Sequence, residues 1–143
     1  MSKLRPTREQ TLAAAAVIGK HFEPSLLREE PAFELGRPVD TEHCDTFASG
    51  MAVRVSIPEA VQLLLEVVDQ MVLVGEDNLK EAMGLYLHHT GHLPEGAGAG
   101  ALAAALQLRP VLEGKTVCLI ASGGNVDAEL QQEIETHFKP REG

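Results

Sequence analysis

The sequence predicts an α/β fold. Short apolar runs rich in β-branched residues, Met71 to Val74 and Thr116 to Ala121, alternate with segments whose apolar residues recur at helical spacing. The second run passes straight into Ser122-Gly123-Gly124-Asn125 and then into another helical pattern, the order of strand, loop and helix found at ligand-binding edges of parallel sheets. A length of 143 residues, 44% of them hydrophobic and 23% charged, fits one domain over residues 1–143 with a core of its own, and disfavours disorder or a fibrous coiled coil.

Element by element, Thr7 and Gln10 form a capping box ahead of Leu12, Ala13, Ala16 and Val17, predicting a helix over Arg8 to Lys20. Glu23 to Glu30 has Pro24 suited to a first helical turn, Pro31 interrupts the pattern or starts a short helix, and Gly36-Arg37-Pro38 is a break. Residues 39–49 show no period, and Met51 to Val55 reads as a short strand or an irregular connection. Pro58 at a helix start, with Ala60, Val61, Leu64, Leu65 and Val68, predicts a helix to about Asp69. After the strand at Met71 to Val74, Glu76 and Asp77 complement the positive end of a helix carrying Leu79, Ala82, Met83, Tyr86 and Leu87, which runs toward His89 and stops at Gly91. Glu95 opens a small-residue helix through Leu108, whose Gly96, Gly98 and Gly100 permit close backbone approach. Thr116 to Ala121 is the clearest strand, and a helix follows from about Asp127.

Charge and composition exclude whole classes of function. Twelve Lys and Arg against 21 Asp and Glu give a net charge of −9, which repels phosphate backbones and anionic membranes, and the 3% aromatic content offers no stacking platform for single strands. Nucleic acid is therefore not an expected partner. The longest apolar runs, Leu12 to Ile18 and Ala101 to Leu106, fall far short of the roughly 20 residues needed to span a bilayer. The basic start at Lys3 and Arg5 is followed by Glu9 and Gln10 rather than a signal core and cleavage site, so a cytoplasmic location is the expectation. Cys118, inside an apolar run, reads as a buried free thiol, while Cys44 is left open.

Ser122-Gly123-Gly124-Asn125 would place a hydroxyl, exposed amides and a carboxamide at the sheet edge, although two glycines after a strand often make only a turn. Glu95-Gly96-Ala97-Gly98-Ala99 is equally ambiguous: its carboxylate faces a ligand or merely complements the helix terminus. Their order with Thr46-Phe47-Ala48-Ser49-Gly50-Met51-Ala52-Val53 and Val72-Leu73-Val74-Gly75-Glu76-Asp77 is more specific. This series resembles the C-terminal half of the pyridoxal-phosphate-dependent serine/threonine dehydratases, the group that includes serine racemase, over about Val39 to Asp127 and more faintly over Phe22 to Glu29.

The resemblance implies part of a tryptophan-synthase-β-like fold (fold type II), usually homodimeric, which eliminates the hydroxyl of serine or threonine to give a keto acid and ammonia. It implies that Ser122 meets the pyridine nitrogen of pyridoxal 5'-phosphate, that Glu95 lies near the ring, that Gly50 passes close to the cofactor, and that Gly123, Gly124 and Asn125 complete the turn. Ser49 departs from the aspartate usual before that glycine. Glu23, the carbonyl of Leu27 and Glu29 match the spacing of a divalent-cation site in some relatives, where oxygen ligands suit magnesium or calcium. The family's Schiff-base lysine, in a Ser-Phe-Lys motif, and its glycine-rich phosphate loop have no counterpart here; Ser2-Lys3-Leu4-Arg5 lacks the phenylalanine, and Lys20, Lys80, Lys115 and Lys139 lack the context. No residue is nominated as catalytic, and the chain alone is expected to lack efficient dehydratase chemistry, with a complementary N-terminal polypeptide able to restore it.

Two other classes compete. His88 and His92 have the spacing of a His-x-x-x-His zinc site, but His89 stands where the catalytic glutamate would follow, and Gly91 and Pro94 break the helix. Metal-free histidines at a helix end are the favoured reading. The third class is an interaction module whose apolar faces around Val61 to Val68 and Ala101 to Leu106 pack on another subunit or a second copy.

Overall fold

Local signals decide where the helices begin and end. The computed structural model describes residues 30–138 other than Cys44. Helix α1 (Glu30–Leu35) has Pro31 in its first turn and is stopped by Gly36 at φ +63°. Residues Ser49–Met51 form a single 3-10 turn. Helix α2 (Pro58–Val67) starts on its proline. Helix α3 (Glu76–Thr90) has Glu76 and Asp77 in its first turn, His88 and His89 in its last, and Gly91 in the left-handed region as its cap. Helix α4 (Gly96–Gln107) is preceded by Glu95, α5 (Arg109–Leu112) is one turn, and α6 (Ala128–His137) is capped by Asp127, whose carboxylate accepts the Leu130 N–H at 2.8 Å. The sequence predicts α2, α3, α4 and α6 to within a few residues. The predicted helix over Arg8 to Lys20 and the pattern from Glu23 lie outside the described residues, apart from Glu30 at the start of α1.

The core is built where α3 lies against α4, with α6 across α3. Leu79, Ala82 and Met83 of α3 meet Ala99, Ala103 and Ala104 of α4, and Ile134 of α6 joins them; all are at most 1% exposed. Alanines and glycines along α4 let the two backbones approach, so the apolar stretch Ala101 to Leu106 buries Ala103 and Ala104 inside this chain. A Cβ at Gly84 would collide with Phe138, which marks how closely the end of α6 sits on α3. Lys80 Nζ donates to Glu133 Oε1 at 2.6 Å, tying α3 to α6 at the surface.

Among the described residues between α1 and α2, the Ser49–Met51 turn is the only regular element. Ser56, 8% exposed, accepts the Val39 N–H at 3.2 Å and donates its hydroxyl to the Val39 carbonyl, while its own N–H donates to Asp40 Oδ1 at 3.1 Å. The Thr41 N–H donates to the Arg54 carbonyl at 2.9 Å. One buried serine thus holds together two segments seventeen residues apart.

The strands are where structure and sequence differ. Met71 to Val74 carries a single bridge at Val72, and Thr116 to Ala121 has no regular structure and no ladder among the described residues. A strand's backbone bonds come from a neighbour in space, and among the described residues neither run has a neighbouring strand. The same fact corrects the reading of Cys118: its thiol is free but exposed, on the outward face of the unpaired run. Among the described residues no helix is long and apolar enough to cross a membrane.

Candidate functional site

Three segments distant in sequence converge at the start of α4. The loop before the 3-10 turn brings Phe47, Ser49 and Gly50; the α4 N-terminus brings Glu95, Gly96 and Ala97; the connection into α6 brings Asn125, Val126, Asp127 and Leu130. Together they line a cleft of about 260 Å³.

Close backbone approach makes this convergence possible. A Cβ on Gly98 would overlap the carbonyl of Ser122, so the loop after the Thr116 to Ala121 run lies directly on α4 and only glycine leaves room for it. Gly123 has φ +69°, and a Cβ there would fall 2.5 Å from Glu95 Cδ. Glu95 and the Ser122 loop are therefore neighbours. Gly50 completes the set: a Cβ on it would lie 3.0 Å from Ala97 Cβ and 3.3 Å from Glu95 Oε1. Gly124 sits further along, its Cβ position 3.9 Å from the ring of His92.

Of the residues nominated from sequence, Gly50, Glu95 and Asn125 line the cleft, and Gly123 touches Glu95. Ser122 is exposed beside them, its carbonyl against α4, and does not line the cleft. Glu23, Leu27 and Glu29 lie outside the described residues. Among the described residues no cluster of three His, Cys, Asp or Glu side chains is placed to hold a metal, so His88 and His92, both exposed, form no such site there.

Sequence reasoning passed over Phe47 and Asp127 as wall residues. Phe47 is pinned from α3: its N–H donates to Glu76 Oε2 at 3.2 Å, and Lys80 Nζ lies 5.8 Å from the centre of its ring. The ring packs over Gly96, where a Cβ would come within 2.5 Å of it. The partners are 29 residues apart, which no local pattern reveals. Asp127 was legible as a helix cap, but its place in the cleft depends on the turn before it.

The lining carries two carboxylates, Glu95 and Asp127, and no cationic side chain. Asp127 spends one oxygen on the α6 cap. Lys80 has its pKa raised by the hydrogen bond to Glu133, which favours its charged form, but it stands behind Phe47 rather than in the cleft. The charge of this lining therefore suits a neutral or cationic group rather than an anion. Among the described residues it offers no cation to neutralise a phosphate and no amine to bond a carbonyl.

A helical layer carrying glycine-lined turns at one end accords with one part of a fold type II cofactor enzyme. Over residues 13–123 the sequence matches the pyridoxal-phosphate-dependent enzyme family, and the chain belongs to that family. It is 35% identical over 112 residues to the biosynthetic L-threonine dehydratase of Lactococcus lactis, a match covering 78% of this chain and 27% of that protein. With the L-threonine ammonia-lyase of Thermotoga maritima it shares 34% identity over 120 residues, covering 82% of this chain and 29% of the relative. Among solved structures, the processed threonine deaminase isoform 2 of Solanum lycopersicum superposes with a TM-score of 0.68 at 28% identity, covering 75% of this chain and 32% of that one. The chain thus resembles threonine dehydratases while spanning less than a third of the length of these curated relatives.

Proposed function

We propose that this chain supplies the pyridine-ring side of a pyridoxal-phosphate site for elimination from a small hydroxy amino acid, threonine or serine, and that it is inactive without the part of the fold that carries the lysine. The observation that carries this reading is the convergence of Gly50, Glu95 and the Ser122 to Asn125 turn on the start of α4.

Pyridoxal phosphate, when bound, supplies an electron sink for the carbanion formed at the α-carbon of an amino acid. Ser122 would present its hydroxyl to the ring nitrogen. A neutral hydroxyl shares a hydrogen bond without enforcing ring protonation as a carboxylate would, which suits elimination better than transamination. Glu95 sits against the same turn, where its carboxylate would stand beside a bound ring. Asn125 would add its carboxamide to the same lining. The residues fit the ring, while the phosphate and the covalent anchor must be met by groups beyond the described residues, since no cation lines the cleft. A cytoplasmic setting accords with this role; a divalent cation at Glu23, Leu27 and Glu29 forms no part of it.

The test is a titration of the purified chain with pyridoxal phosphate, followed by the cofactor's absorbance and fluorescence, with threonine added afterwards and keto acid assayed. Saturable spectral perturbation without keto acid is expected. Losing the Ser122 hydrogen bond in Ser122→Ala should weaken binding by about 1 kcal/mol, roughly fivefold in Kd. Perturbation identical in Ser122→Ala and Glu95→Gln would overturn the placement of the ring, and sustained turnover by the chain alone would overturn its incompleteness.

A further inference from the structure

Phe47 is gripped on several sides. Its N–H donates to Glu76 Oε2 at 3.2 Å, Lys80 Nζ stands 5.8 Å from its ring centre, and the ring lies on Gly96, where a Cβ would come within 2.5 Å of it. Glu76 and Lys80 occupy positions i and i+4 of α3, the spacing at which a glutamate and a lysine are neighbours on one helix face. Here both are engaged elsewhere: Lys80 donates to Glu133 of α6 at 2.6 Å, and the Glu76 carboxylate accepts the Phe47 amide. One helix face thus holds a single residue twice, by its backbone and by its ring. The hydrogen bond to Glu133, with smaller help from Asp77 and Glu76, raises the Lys80 pKa against the opposing effect of desolvation, so the group over the ring stays cationic. The adjoining amides are also bonded: Ser49 N–H donates to the Phe47 carbonyl at 2.8 Å, and Ala48 N–H donates to Thr46 Oγ1 at 3.1 Å. Phe47 nonetheless lines the cleft, and it is the only aromatic residue in the described lining.

We propose that Phe47 is a ligand-contacting wall of the cleft and that Glu76 is its positioning residue, acting on the ligand only through the Phe47 amide. The inference rests on the reading of the site given above and adds an apolar side to its polar one. Gly50, Glu95 and Asn125 bring small or polar groups to the lining, and Val126 and Leu130 bring aliphatic surface. Phe47 alone brings a planar ring. Aromatic rings meet in offset-stacked or edge-to-face arrangements that an aliphatic side chain of similar bulk cannot match, so a phenyl at this position favours an aromatic ligand. Such a contact raises affinity most when the wall is already in place, because ordering it on binding would cancel part of the gain. The Glu76 bond fixes the backbone from which the ring projects, while Gly96 and Lys80 confine the ring itself.

The experiment titrates the purified chain and four variants with pyridoxal phosphate, reading the cofactor's absorbance. Melting temperature and hydrogen exchange at the Phe47 amide are measured without cofactor. Phe47→Leu keeps apolar bulk against Gly96 and should lower the melting temperature by only a few degrees, yet raise Kd roughly fivefold. Glu76→Ala should speed exchange of the Phe47 amide roughly fivefold and raise Kd roughly threefold. Glu76→Gln, which keeps an acceptor oxygen without the charge, should bring both to within about twofold of wild type. Glu81→Ala, which removes a carboxylate from an exposed position on the same helix, should change neither. An unchanged Kd in Phe47→Leu makes the residue a packing element and overturns the proposal. So does unchanged exchange in Glu76→Ala. Binding as weak in Glu76→Gln as in Glu76→Ala also overturns it, by assigning the effect to charge at the helix start. No saturable change with the wild-type chain overturns this assignment together with the reading of the site. Otherwise the two fail separately. Binding that depends on Ser122 and Glu95 but not on Phe47 refutes only the wall, whereas binding that depends on Phe47 and Glu76 but not on Ser122 or Glu95 refutes only the ring placement.

Discussion

The α3 and α4 pair and the run from Thr116 to Ala121 both carry apolar side chains, with opposite fates. Leu79, Met83, Ala103 and Ala104 are at most 1% exposed, whereas Ile120 is 71% exposed. The contrast comes from where the backbone finds its partners. A helix satisfies its amides four residues away and needs only one apolar face covered, which the α3, α4 and α6 layer does within this chain. A strand satisfies nothing by itself. The helical layer is therefore complete within the chain, whereas the run from Thr116 to Ala121 has no pairing among the described residues.

Substitutions sharpen that contrast. The largest effect belongs in the helical layer: Met83→Ala, at a residue 0% exposed, should destabilise the chain by about 3 kcal/mol in urea denaturation, because the close-packed alanines of α4 cannot move in to fill the cavity. Next comes Gly98→Ala, where the new methyl meets the Ser122 carbonyl. A cost of about 2 kcal/mol is expected. It should come with faster hydrogen exchange through residues 122–125, and unchanged exchange there would show that the loop is not held on α4. Asp127→Ala removes the α6 cap and should cost about 1 kcal/mol, read as a lower melting temperature.

The smallest effect concerns the tie between α3 and α6. Lys80 has its pKa raised by Glu133, so the folded state binds the proton more tightly than the unfolded state does. Its contribution is complete at neutral pH and is lost as pH climbs through the raised value at the alkaline end. The difference in stability between wild type and Lys80→Met should be constant from pH 6 to 9 and vanish only in strong alkali. A difference that disappears near neutrality would assign the tie to another group. Tyr86, whose burial raises its pKa, acts in the same direction, since ionising a half-buried phenol favours unfolding.

How much of this was legible in the sequence follows the same division. Pro58, Gly91 and Asp127 mark helix ends by effects confined to one turn, and those ends lie close to where the sequence places them. The strands were legible as apolar runs, but their pairing was not, because it belongs to a neighbour. In the site, Gly50, Glu95 and Gly123, which the sequence nominated through a family resemblance, lie close together. Phe47 and Asp127 were missed as walls: one is placed by Glu76 across 29 residues, the other by a turn whose shape depends on Gly123 at φ +69°. Cys118 was misjudged because burial of an apolar run was assumed where only its alternate side chains are covered.

The hydroxyl of Ser56 acts on the cleft without reaching it. By joining residues seventeen positions apart it closes a loop whose tip holds Phe47, Ser49 and Gly50. The entropy of bringing those ends together is thus met during folding, not when a ligand arrives. Selection for tight ligand capture can therefore act on a serine that no ligand touches.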